Sequence, residues 1–222
     1  MSDPLSCAAT GDAPQPITDR LARADAYWLL ARAFLPPPRG WLLSQWSEPL
    51  LGDLADLAPT LGLDLTRLHT AVATVQAQRA ALGSAGGPMA DWLVAYSAIF
   101  LTPPVDAPLN TGLLLEGSLA GTVAQQAAQC YREGGFAPAE NFRDLPDHVA
   151  MQLEFVAHLL ERAEQGDEAA EALAEDFVRH FVAAWAPLLE QACQRATARE
   201  PGALVWAALA QVIQQLLPAP TV

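Results

Sequence analysis

Apolar residues return every three or four positions along most of the 222-residue chain and seldom alternate with polar ones. That spacing collects them on one face of an α-helix, whereas a half-buried strand needs a period of two. In TDRLARADAYWLLARAFL (18–35), Leu21, Ala24, Tyr27 or Trp28, Ala31 and Phe34 make such a face. PPP (36–38) ends it, because proline has no N–H to donate and crowds the turn before it. Short helices are expected at 40–47 and 49–58, then a longer one in DLTRLHTAVATVQAQRAAL (64–82) with Asp64 or Thr66 as cap. LGSAGG (82–87) reads as a turn, and GPMADWLVAYSAIFL (87–101) as a helix with Pro88 in its first turn and a stop at Pro103-Pro104.

Residues 102–115, rich in Pro, Asn and Gly, read as a loop. Further helices are expected at 118–135, closed by Gly134-Gly135, then at 145–166, at 167–185, from Pro187 to about 198, and at 201–217. The pattern therefore predicts an all-α chain, a single globular bundle of about nine or ten helices over 17–218. A polar, aperiodic arm (1–16) is expected to be flexible, and a hinge loop is expected near 134–146.

Composition narrows the chemistry. With 52% hydrophobic and 17% charged residues, the chain can bury a sizeable core. The net charge of −13 disfavours nucleic acid and anionic lipid and favours a cationic partner. All twelve basic residues are Arg, so neither a P-loop lysine nor a Schiff-base lysine can operate. No G-x-G-x-x-G or G-x-S-x-G occurs. Cys7, Cys130 and Cys193 are distant from one another and odd in number, which points to reduced thiols. The N-terminus carries an acid where an export signal has Arg or Lys, and no apolar run reaches the roughly 18 residues of a membrane span, so a cytoplasmic protein is expected.

DLPDHVAMQLEFVAHLL (144–160) places Asp147 and His148 at a helix start. Adjacent helical residues point about 100° apart, so Asp147 is poorly placed to orient His148 as a base, and no nucleophile accompanies them. Asp147 would favour the exposed N–H groups of a helix N-terminus, and His148 there would stay neutral. A capped helix start and a binding corner both remain open. Glu154 and His158, and Asp176 and His180, stand four apart and offer a helical metal-binding enzyme as the alternative. Carboxylate bundles, however, use Glu-x-x-His. Asp147, Glu154, His158 and Glu161 also form one polar stripe, expected to face water opposite Val149, Leu153, Val156 and Leu160. Trp92, Tyr96, Ile99 and Phe100 form an aromatic stripe that could be core or one wall of a groove.

Together these stretches resemble the TorD/DmsD/NarJ family of redox-enzyme maturation chaperones. Leu145, Pro146, Asp147, His148, Leu153 and Phe155 match its Pro-Asp-His motif and following helix, with Gln152 where Glu is common and Val156 where Met is common. YSAIFL is similar to the family's aromatic-x-x-L-F segment at Tyr96, Ile99 and Phe100, and the loop with Pro104 and Pro108 and the helix ending YREGGF (131–136) follow in order. The match covers about residues 90–165. Leu109 and Leu113 stand where the family often carries aromatics.

The resemblance implies a chaperone, not an enzyme, and no cofactor of its own. Its partner would be the apo form of a molybdopterin-containing oxidoreductase subunit, bound through its basic twin-arginine signal peptide until the cofactor is inserted and the subunit goes to the Tat translocon. It further implies a client-binding site of Trp92, Tyr96, Ile99, Phe100, Pro146, Asp147 and His148, in a monomer or dimer.

Overall fold

A computed structural model describes residues 18–81, 91–137 and 142–218. The expected arm (1–16), the turn at 82–87 and part of the hinge loop lie outside the described residues. α1 (Asp19–Ala33) starts where the Thr18 hydroxyl accepts the Leu21 N–H at 3.2 Å. α2 (Leu43–Leu61) closes on Gly62, whose φ of 65° is left-handed and suits a residue without Cβ. α3 (Thr66–Ala81) is led by Asp64, whose carboxylate accepts the Thr66 N–H at 2.9 Å. α4 (Trp92–Phe100) is capped by Asp91, which also accepts the Gly40 N–H and ties the turn after the prolines to this helix.

α5 (Thr111–Leu115), α6 (Thr122–Glu133), α7 (Val149–Glu164), α8 (Glu168–Phe177), α9 (Ala183–Ala196) and α10 (Ala203–Gln215) complete the order. Among the described residues the only β pairing is an isolated antiparallel bridge between Asn110 and His148. The fold is all-α.

Three elements differ from the pattern-based expectation. The two short helices at 40–47 and 49–58 are one helix, α2, with Pro49 and Pro59 inside it. A mid-helix proline costs on the order of 3 kcal/mol, but Trp46 and Leu54, buried on either side of Pro49, hold one continuous face against the core. The break expected near Pro187 is likewise absent. α8 passes through a π-helical turn, Val178–Val182, directly into α9, which carries Pro187 internally. Finally, the loop 102–115 contains α5, a five-residue helix too short to show a period.

α7 and α10 are the central elements. α7 buries Val149 to Leu153 without interruption, then Phe155, Val156, Ala157 and Leu159, and lies chiefly against α1 and α8. α10 packs on α9 and α3. Between α2, α4 and α10, Trp92 and Trp206 stack with centroids 4.5 Å apart, and Trp46 leans on both. Tyr96 and Phe100 meet the edge of Trp206. The Trp206 indole N–H donates to the Ala33 carbonyl at 3.0 Å, so α10 is also pinned to the end of α1. Trp206→Ala should therefore cost about 3–5 kcal/mol, measured by urea denaturation followed by circular dichroism. A loss under 1 kcal/mol would show that the cluster does not hold these helices together.

Candidate functional site

The Pro-Asp-His corner is built from residues that serve two different helices. His148, not Asp147, caps α7: its Nδ1 accepts the Ala150 N–H at 3.1 Å. Asp147 turns the other way, and its Oδ2 accepts the Gly112 N–H at 2.8 Å, in the first turn of α5. Asn110 donates its amide to the Asp144 carboxylate at 2.9 Å and more distantly to Asp147. The Thr111 N–H donates to the Asp147 carbonyl, and the Val149 N–H to the Leu109 carbonyl, which forms the bridge between the loops. Asp147 is 0% exposed, so the water-facing stripe expected from it does not exist. Glu154, His158 and Glu161 of that stripe are half-buried. Packing against α1 and the 142–148 segment covers a face that a lone amphipathic helix would leave to solvent.

A polar network secures the corner from below. The Gln152 side-chain amide donates to the Thr111 hydroxyl at 2.7 Å and to the Asp147 carbonyl at 3.1 Å, while its oxygen accepts the Trp185 indole N–H at 2.8 Å. All are buried, and each gains a partner that burial would otherwise leave missing. Tyr131 of α6 donates its hydroxyl to the Pro146 carbonyl at 2.6 Å. Gly112 is obligatory here: a Cβ would stand 2.7 Å from the Ser118 carbonyl oxygen and 2.9 Å from Asp147 Oδ2.

Beside this corner opens a cavity of about 740 Å³. Buried Tyr96 and Phe100 line it together with Leu109 just before α5 and Leu113 within it, and with Phe142, Arg143, Asp144 and His148 from the corner. Leu101, Val105 and Leu119 stand at its mouth with 57, 39 and 55% exposure, unusual for large apolar side chains and grouped in one place. Glu154 supplies a second carboxylate, its pKa raised by burial. The Tyr96 hydroxyl donates to the Phe34 carbonyl at 3.1 Å, and burial, with the Asp144 charge adding to it, keeps the phenol protonated. Burial also pushes His148 below its ordinary value, against the pull of Asp144 and Asp147, so the ring stays neutral as its capping bond requires.

Of the seven residues proposed from sequence, Tyr96, Phe100 and His148 line this cavity. Trp92 and Ile99 lie wholly in the core, and Pro146 and Asp147 build the corner behind the wall. The charges that reach the cavity come from Asp144, three residues upstream in the same motif, from Glu154 and from Arg143. Leu101, Val105 and Leu119 escape a sequence reading because exposure of a leucine leaves no local signal. Among the described residues no three His, Cys, Asp or Glu side chains are grouped to hold a metal ion, so Glu154, His158, Asp176 and His180 do not form the alternative metal centre. His158 packs on Phe136, and Asp176 pairs with Arg179.

Two outcomes follow from this geometry. Asp147→Ala and Gly112→Ala should each cost about 1–3 kcal/mol, the first by orphaning a buried N–H and the second by steric displacement. Hydrogen exchange should speed up at 109–115 before the rest of the chain. Because His148 is harder to protonate folded than unfolded, its stabilising effect is complete above its unfolded pKa of about 6.5 and declines as pH falls through the lower folded value. His148→Asn, which can still cap, should flatten that part of the stability profile in urea melts.

Residues 56–191, more than half of the chain, match the family described as nitrate reductase delta subunit. Chaperone protein TorD from two strains of Vibrio cholerae serotype O1 (O395 and M66-2) is 32% identical over 83 residues, which spans 35% of this chain and 38% of TorD. A crystal structure of a candidate redox enzyme maturation protein from Archaeoglobus fulgidus covers 91% of this chain and 97% of its own, at 19% identity and a TM-score of 0.47. No helix among the described residues is long and apolar enough to cross a membrane. With the match running from α2 to α9 and the Pro-Asp-His corner inside it, the chain belongs to the nitrate reductase delta subunit family, the TorD/DmsD/NarJ family of redox-enzyme maturation chaperones.

Proposed function

We propose that this protein works in the cytoplasm as a dedicated chaperone for one molybdopterin-containing oxidoreductase subunit. It binds the apo subunit through its basic, twin-arginine signal peptide and releases it for Tat export once the cofactor is in place. The observation that carries this reading is the apolar groove of about 740 Å³ between α4 and the 142–148 corner, with exposed leucines at its mouth and carboxylates on its walls. A signal peptide has a basic start and an apolar middle. The apolar middle would cover Leu101, Val105 and Leu119, and Asp144 and Glu154, which outnumber the lining Arg143, would with the net charge of −13 attract the basic start. Binding needs no bond-making group.

The test uses the signal peptide of a molybdoenzyme encoded beside this gene, titrated calorimetrically. Leu101→Ser and Leu119→Ser remove apolar area already exposed in the free protein, so helicity and melting should be preserved. Each should weaken binding about tenfold, the equivalent of about 1.4 kcal/mol. Unchanged affinity in both variants would take this groove out of the recognition of the client.

A further inference from the structure

A second hollow, of about 450 Å³, lies where α1, α7, α8 and the end of α10 meet, and it shares no lining residue with the main groove. Tyr27, Val156, Leu160, Ala174, Val178 and Leu216 line it, and all but the half-buried Leu160 are buried. Arg20, Arg23 and Arg179 line it too, paired with Glu171, with Asp19 at 3.1 Å and with Glu175 at 3.9 Å. Three cations and three carboxylates cancel, so the lining carries no formal net charge. The three tyrosines of the chain are all buried. A buried hydroxyl normally finds a partner, and Tyr96 and Tyr131 each donate to a backbone carbonyl. Tyr27 is only 2% exposed, yet its hydroxyl makes no hydrogen bond among the described residues. Nor is that oxygen sealed from solvent as the indole nitrogen of Trp92 is; its access is through the hollow that Tyr27 lines. Burial pushes the phenol up, against the pull of the Arg23 charge, so it stays protonated and keeps a proton to donate.

We propose that this hollow binds a small uncharged molecule with an apolar body and one carbonyl-type acceptor, which takes the hydrogen bond of the Tyr27 hydroxyl. Its volume falls within the ~300–1,000 Å³ usual for small-molecule sites, which are mostly apolar with a few placed polar groups. The class of occupant follows from the lining. A charged ligand would lose its hydration and meet cations and carboxylates in equal number, so attraction and repulsion offset. A neutral apolar body loses little water and covers Val156, Leu160, Val178 and Leu216. The one unpartnered donor then sets its orientation and selects for an acceptor. Bound there, the molecule would touch α1, α7, α8 and the residue that ends α10 together, so binding should stabilise the fold.

The test titrates the full chain with three probes of similar shape, methyl naphthyl ketone, naphthalene and naphthoate, followed by protein-observed NMR and by thermal melts. The ketone should bind about five- to tenfold more tightly than naphthalene, the worth of one hydrogen bond, and raise the melting temperature. Naphthoate should bind more weakly than the ketone. Tyr27→Phe removes a hydroxyl that has no partner among the described residues, so melting of the free protein should be unchanged. It should bring the ketone down to the affinity of naphthalene and leave naphthalene unaffected. Leu160→Trp, a larger side chain at the half-buried position of the lining, should abolish binding of both. The site is overturned if none of the probes shifts the resonances of α1 and α8, or if Tyr27→Phe keeps the full ketone preference. Tighter binding of naphthoate than of the ketone would overturn the uncharged class.

Discussion

A carboxylate buried to complete exclusion from water must find donors, and Asp147 finds its principal one on another helix. Much of the site depends on that. The Gly112 N–H can reach Asp147 only if the 109–112 loop lies alongside 145–149, and only if residue 112 lacks a Cβ. Once the two segments pair, Thr111 and Gln152 become neighbours, and Trp185 closes the network from α9. Burying an unpartnered carboxylate would cost several kcal/mol, so the alternatives in which the loop swings free are strongly disfavoured. The cis-acting consequence is spatial: Leu109 and Leu113 are fixed in the lining of the groove together with Phe142, Asp144 and His148.

The same constraint divides the labour within the motif. Pro146 presents its carbonyl to Tyr131, Asp147 ties the loop, His148 caps α7 and shows its ring to the cavity, and Asp144 brings charge to the wall. Residues that line the groove are thereby held by Pro146 and Asp147, which do not line it. Tyr96 and Phe100, themselves packed against Trp206, offer a well-held apolar surface, and exposed Leu101 and Leu119 add apolar area at the mouth. Well-held aromatic surfaces lower the entropy lost on binding.

The helical class was legible in the chain because amphipathic period is a local property, and α1, α3, α4, α7 and α10 each carry it within their own residues. The Pro-Asp-His stretch also declared its family from a few consecutive residues. Proline misled in α2 and around Pro187, since its local penalty is visible in sequence while the burial of Trp46 and Leu54 that outweighs it is not. α5 was invisible for the complementary reason: five residues cannot establish a period, and the acceptor that steadies its first turn lies 35 positions away.

For the site, the sequence by itself determined that Pro146, Asp147 and His148 form one motif at a helix start and that Trp92, Tyr96, Ile99 and Phe100 share one helix. Only the tertiary structure decided the roles. Capping and burial depend on which N–H groups surround a side chain, and for Asp147 those belong to a segment remote in the chain. Exposure is equally non-local, so Trp92 and Leu101, nine positions apart around one helix, end as core and as rim. Period assigns a residue to a face; the neighbours that fold against that face determine whether it meets protein or water.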